Sequence, residues 1–119
     1  MDELHILRPQ GFINADTGAD LRDRIHSLTV GDPRSVLIDC SAITFMDSSG
    51  FSCLITALKK LRRQGRELFL CSLNSQLRVI LETTGTIQVF RIFPTSAECL
   101  LHVEQAGLLE DGERSLPAG

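Results

Sequence analysis

Between residues 35 and 72 the apolar pattern changes twice, and that change limits the folds open to the chain. Val36-Leu37-Ile38 is a continuous apolar run and reads as a buried strand from about Ser35 to Cys40. Phe51, Leu54, Ile55, Leu58 and Leu61 then recur at the spacing of one helix face. Lys59, Lys60, Arg62 and Arg63 fill that helix's last turns, where cations complement the helix dipole, and Gly65 is placed to stop it. Leu68-Phe69-Leu70 follows in a strand over Glu67–Ser72, apolar on both faces, as suits a strand covered on both sides. Strand, helix and two-sided strand in that order call for an α/β sheet.

The rest of the chain continues the alternation. Leu4-His5-Ile6-Leu7 reads as a strand, Arg8-Pro9-Gln10-Gly11 as a turn, and Phe12-Ile13 as a short strand. Asn14, Asp16 and Thr17 are possible N-caps of a first helix, Thr17 the favoured one, with Leu21, Ile25 and Leu28 as the apolar stripe. Gly31-Asp32-Pro33 ends it. Asn74 or Ser75 caps a third helix carrying Leu77, Ile80 and Leu81 inward, and Thr83-Thr84-Gly85 closes it. Val89–Phe93 reads as a strand, and Thr95 or Ser96 opens a last helix with Cys99, Leu100 and Val103. From Gly107 the pattern fades. Residues 1–106 are therefore expected to form one domain and 107–119 a disordered tail. The expected fold is α/β, a parallel or mixed sheet of about five strands with about four helices.

Composition narrows the function classes. A net charge of −3 argues against direct DNA binding, which favours a basic excess. No apolar run approaches the roughly 20 residues of a membrane span. The acidic start, Met1-Asp2-Glu3, has no signal-peptide pattern, so a cytoplasmic protein is expected. Cys40, Cys53, Cys71 and Cys99 are too far apart for a Cys-x-x-Cys pair and sit in apolar contexts. They read as small buried hydrophobes rather than a metal or redox site.

The most informative loop is Phe45-Met46-Asp47-Ser48-Ser49-Gly50-Phe51, where a short connection after the central strand enters the amphipathic helix. Asp and Ser are good helix caps, and a helix N-terminus favours an anion. In this setting the loop resembles the serine-phosphorylation loop of the anti-sigma factor antagonists, bacterial proteins with the STAS fold. The resemblance runs from about Gly11 to Leu101 and implies a STAS-like mixed sheet with helices mainly on one side. With about ten residues before Gly11, the N-terminal edge of that sheet is expected to be short or altered.

The resemblance further implies that Ser48 is phosphorylated by an anti-sigma factor that is itself a serine kinase, and that a serine phosphatase resets it. Ser49 stays open as an alternative acceptor; the family pattern favours the first hydroxyl after the Asp. Asp47 caps the helix or orients the Ser48 hydroxyl. Gly50 permits close approach of a backbone, or simply suits the helix start. Phe51 and Asn14 complete the implied partner-contact set, and Asn14 stands where the family usually carries an Asp.

Other chemistry is poorly supported. Nucleophilic serine catalysis needs a base and an oxyanion hole, and there is no Gly-x-Ser-x-Gly and no motif around His5, His26 or His102. No Gly-rich phosphate loop with Lys is present. No cofactor or metal is expected, and no enzyme activity. Lys59, Lys60, Arg62, Arg63 and Arg66 read as the solvated end of a helix before they read as a docking patch. Two functions remain: an anti-sigma factor antagonist that switches partners on phosphorylation, or a non-switching STAS binding module, such as a lipid-transport subunit or a stress-sensing scaffold component.

Overall fold

The computed structural model describes residues 4–114, with side chains described through residue 106. The chain order is β1 (Leu4–Leu7), β2 (Gly11–Ile13), α1 (Ala15–Thr29), β3 (Ser35–Asp39), β4 (Ile43–Met46), α2 (Ser48–Arg63), β5 (Leu68–Cys71), α3 (Ser75–Thr83), β6 (Arg91–Phe93) and α4 (Ser96–Arg114). The expected α/β class with four helices is present. The helix α4 is assigned through Arg114, while the tail expected over 107–119 lies outside the residues with described side chains.

The strands form two sheets rather than one of about five. Four pair in the order β1-β3-β5-β6, and β2 pairs with β4 separately. All four described pairings are parallel, where a mixed sheet was implied. The connections explain this: each return to the larger sheet passes through a helix, which brings the chain back to the same end. The smaller pair continues β1 and β3 past two breaks. Pro9 lacks the N–H needed to extend the first strand, and the second chain turns at Ser41-Ala42. The strand β4 was read as a plain connection, and β6 begins at Arg91 rather than Val89.

Strand alternation divides the core. Val36, Ile38, Leu68 and Leu70 face a cluster completed by α1, α2 and α3, including Leu21, Ile25, Leu54, Leu58 and Leu77. Leu37, Phe69 and Cys71 face the other way and are covered by Cys99, Leu100 and Val103 of α4. Three helices thus lie on one face and one on the other, which accounts for the two-sided apolar character of β3 and β5.

Polar groups at the margins are tied down. Burial raises the Asp39 carboxyl, but hydrogen bonds from Ser41 and Arg8 outweigh that and hold it below the usual carboxylate range. Arg62 bonds Glu67 and the Val89 carbonyl, and Arg66 bonds the Thr29 and Asp32 carbonyls. Part of the basic run is therefore structural. Burial pushes the Cys40 and Cys99 thiols up to about 12, as suits buried apolar cysteines.

Candidate functional site

The site grows out of the small β2–β4 pair. Ile13 lies opposite Met46 in the parallel register. The next residue in each strand is a helix N-cap: Asn14 for α1 and Asp47 for α2. Neighbouring strands run about 5 Å apart, so two helix starts emerge side by side.

Each start is capped by its own side chain. Asn14 Oδ1 accepts the backbone N–H of Asp16 and of Thr17, each at 3.0 Å, while Thr17 Oγ1 accepts the Asn14 N–H at 2.8 Å. This reciprocal capping box makes Asn14 the cap and Thr17 its partner, reversing the favoured sequence assignment. At α2, Asp47 Oδ1 accepts the Gly50 N–H at 2.8 Å. Ser48 is the first residue inside the helix, so its hydroxyl is not used in the cap. Ser48 and Ser49 are both exposed.

The loop is held from two sides. The Asp47 N–H bonds the Ile13 carbonyl at 3.1 Å. On the opposite edge of β4, Gln76 of α3 accepts the Met46 N–H at 2.9 Å and donates to the Met46 carbonyl at 2.8 Å. Asn74, the cap of α3, donates to the Ile43 carbonyl at 2.9 Å. Gln76's role leaves no trace in the sequence, since a glutamine in a first helical turn is unremarkable without the tertiary contact.

Gly50 and Phe51 face inward. A Cβ on Gly50 would lie 2.2 Å from the Ile13 carbonyl oxygen, so the backbone that approaches it belongs to the domain itself. Phe51 is 8% exposed and sits in the core. Of the residues implied by the sequence, Asn14, Asp47, Ser48 and Ser49 thus gather at the surface, and Gly50 and Phe51 support them from beneath.

One surface feature escaped the sequence reading. Phe12 of β2 and Phe45 of β4 are 47% and 44% exposed. Their rings meet edge-to-face with centroids 5.3 Å apart. The clue was available in Ile13 and Met46: if these point inward, their preceding neighbours point outward.

The structure is thus a parallel α/β domain in which an exposed hydroxyl loop opens one helix beside a second capped helix start. The STAS domain family model matches residues 2–99, and the chain belongs to that family. An anti-sigma-B factor antagonist of Listeria monocytogenes is 29% identical over 82 residues, 69% of this chain and 72% of that protein. The crystal structure of an anti-sigma factor antagonist from Mycobacterium paratuberculosis superposes with a TM-score of 0.75 at 24% identity, covering 87% of this chain and 88% of that one. The STAS domain of a SulP transporter from Vibrio cholerae gives a TM-score of 0.69 at 18% identity, covering 92% and 84%. At these identities the solved structures speak to the fold.

Proposed function

We propose that this chain is an anti-sigma factor antagonist that works by partner switching in the cytoplasm. Unphosphorylated, it binds an anti-sigma serine kinase and so frees a sigma factor. Phosphorylation of Ser48 releases it, and a serine phosphatase restores it. The observation that carries the reading is the placement of Ser48: exposed, first in α2, with the capping duty taken by Asp47. The names of the curated relatives point the same way.

In this reading the chain is substrate and switch rather than enzyme, and it holds no cofactor of its own. Ser48 Oγ forms a bond to the γ-phosphorus of ATP held by the kinase. The bond to the β,γ-bridging oxygen breaks, ADP leaves, and the hydroxyl proton passes to a base on the kinase. The product adds about −1.5 to −2 charges at a helix N-terminus, where the dipole favours them. The helix therefore survives and the partner surface changes. Placing that charge under a docked protein without a matching cation is costly.

The test is ATP-dependent phosphorylation by candidate anti-sigma serine kinases from the same organism, read by intact mass and peptide mapping on wild type and Ser48→Ala. One phosphate on Ser48, absent from the variant, is expected. A phosphate on Ser49 keeps the switch and moves its residue. Tight kinase binding with no phosphate selects the non-switching module, a role consistent with the fold likeness to a transporter's STAS domain.

A further inference from the structure

We propose that the Phe12–Phe45 pair is the apolar anchor on which the kinase partner docks, and that this dry contact is what a phosphate on Ser48 breaks. The inference rests on the partner-switching reading and adds the surface that supplies affinity.

The pair is positioned by a break in the strand register. Gly11 lies opposite Ile43, but Phe12 lies opposite Phe45, so β4 advances two residues while β2 advances one. Gly11 carries a positive φ of 76° at this point, a conformation open to glycine. With a regular register Phe12 would face Thr44 and Ile13 would face Phe45. The irregularity instead aligns the two rings on the outer face and keeps Ile13 and Met46, each 2% exposed, in the core. Bulges of this kind re-aim side chains at functional edges.

The exposure is unlike the rest of the surface. Among the described residues, the other large exposed hydrophobics are aliphatic and spread over five segments: Ile6, Val30, Val79, Val89 and Leu101. Two half-exposed aromatic rings in mutual contact make a preformed anchor, and aromatic anchors dominate binding energy at protein interfaces.

The pair also lies inside the footprint of any protein that reaches Ser48. Phe45 precedes Ser48 by three residues, which is at most about 10 Å along an extended chain. Phe12 pairs with Phe45 across the sheet. An interface of ordinary size covers about 800 Å² per partner, a disc of roughly 16 Å radius. A kinase standing on Ser48 therefore covers both rings. A doubly charged phosphate at the edge of that apolar contact would be desolvated without compensation.

The test uses the full chain and an ADP-loaded candidate anti-sigma serine kinase from the same organism, with affinity measured by calorimetry. Phe12→Ala and Phe45→Ala should each weaken binding about 10- to 30-fold, while Val79→Ala changes it less than twofold. Phosphorylation at saturating kinase should keep its rate, so the loss falls in KM and not kcat. Circular dichroism and thermal midpoints check folding, and Phe12→Gln and Phe45→Gln serve if an alanine variant unfolds. Unchanged affinity in both Phe variants, with wild type still phosphorylated on Ser48, overturns the anchor and leaves the switch standing. Wild type that neither binds nor is phosphorylated by any candidate kinase overturns both. A wild-type dimer that Phe45→Ala converts to monomer, with kinase binding intact, assigns the face to a second copy and also overturns the anchor.

Discussion

Gly50 is where core packing and the geometry of the Ser48 loop meet. Its hydrogen points at the Ile13 carbonyl, the same oxygen that receives the Asp47 N–H. Gly50→Ala gains at most about 1 kcal/mol of helix propensity. It also places a methyl 2.2 Å from a backbone oxygen that is already engaged and cannot easily move. The collision wins, and a net destabilisation of about 2 kcal/mol is expected in urea unfolding. A variant as stable as wild type would show that the helix start slides freely over β2. The capping assignments give a sharper contrast. Asp47→Ala removes the oxygen that satisfies Gly50 N–H and should cost about 1 kcal/mol. Ser48→Ala removes an exposed hydroxyl outside the cap and should stay within about 0.5 kcal/mol of wild type. Equal losses in the two variants would mean the serine shares the cap.

At the scale of elements, the helix α2 was legible because five apolar residues keep one period and Gly65 ends it with a positive φ of 75°. The strand β4 was not. It has four residues, and Thr44 and Phe45 are both exposed in succession, so the register irregularity erases the alternation that marks a strand. The same irregularity hid the aromatic pair. Asn14 was legible as one of three possible caps, but only the reciprocal bonds to Thr17 choose among them. The intact α2 carries its own prediction. A negative charge at its first residue favours the helix dipole by about 0.3–1 kcal/mol, partly offset by the neighbouring Asp47. Ser48→Asp should therefore keep full helicity and a thermal midpoint at or slightly above that of wild type, while kinase affinity falls. Loss of helical signal in that variant would mean that the proposed switch acts by unfolding and not through its surface.

For the whole molecule, the two faces of the sheet are unequally insured. Three helices cover one face, and α4 alone covers Leu37, Phe69 and Cys71 on the other. The apolar run of β3 and β5 announced that both faces are covered, yet no local pattern says which helix goes where; that depends on the connections. Among the described residues, α4 packs on this face through Cys99, Leu100 and Val103, with His102 against Phe69 and Phe93, and we propose that the folded domain ends near residue 106. A chain ending at Ala106 should then unfold within about 0.5 kcal/mol of the full chain. A chain ending at Thr95 uncovers Leu37 and Phe69, which are 0% and 6% exposed in the complete fold. Leaving two such side chains in water forfeits about 1.5–3 kcal/mol each, a large share of the 5–15 kcal/mol that holds a domain of this size. That chain should be marginal or aggregate, read by urea unfolding and light scattering side by side. If instead the chain ending at Ala106 loses several kcal/mol, the last turns of α4 belong to the fold and the domain boundary moves beyond them.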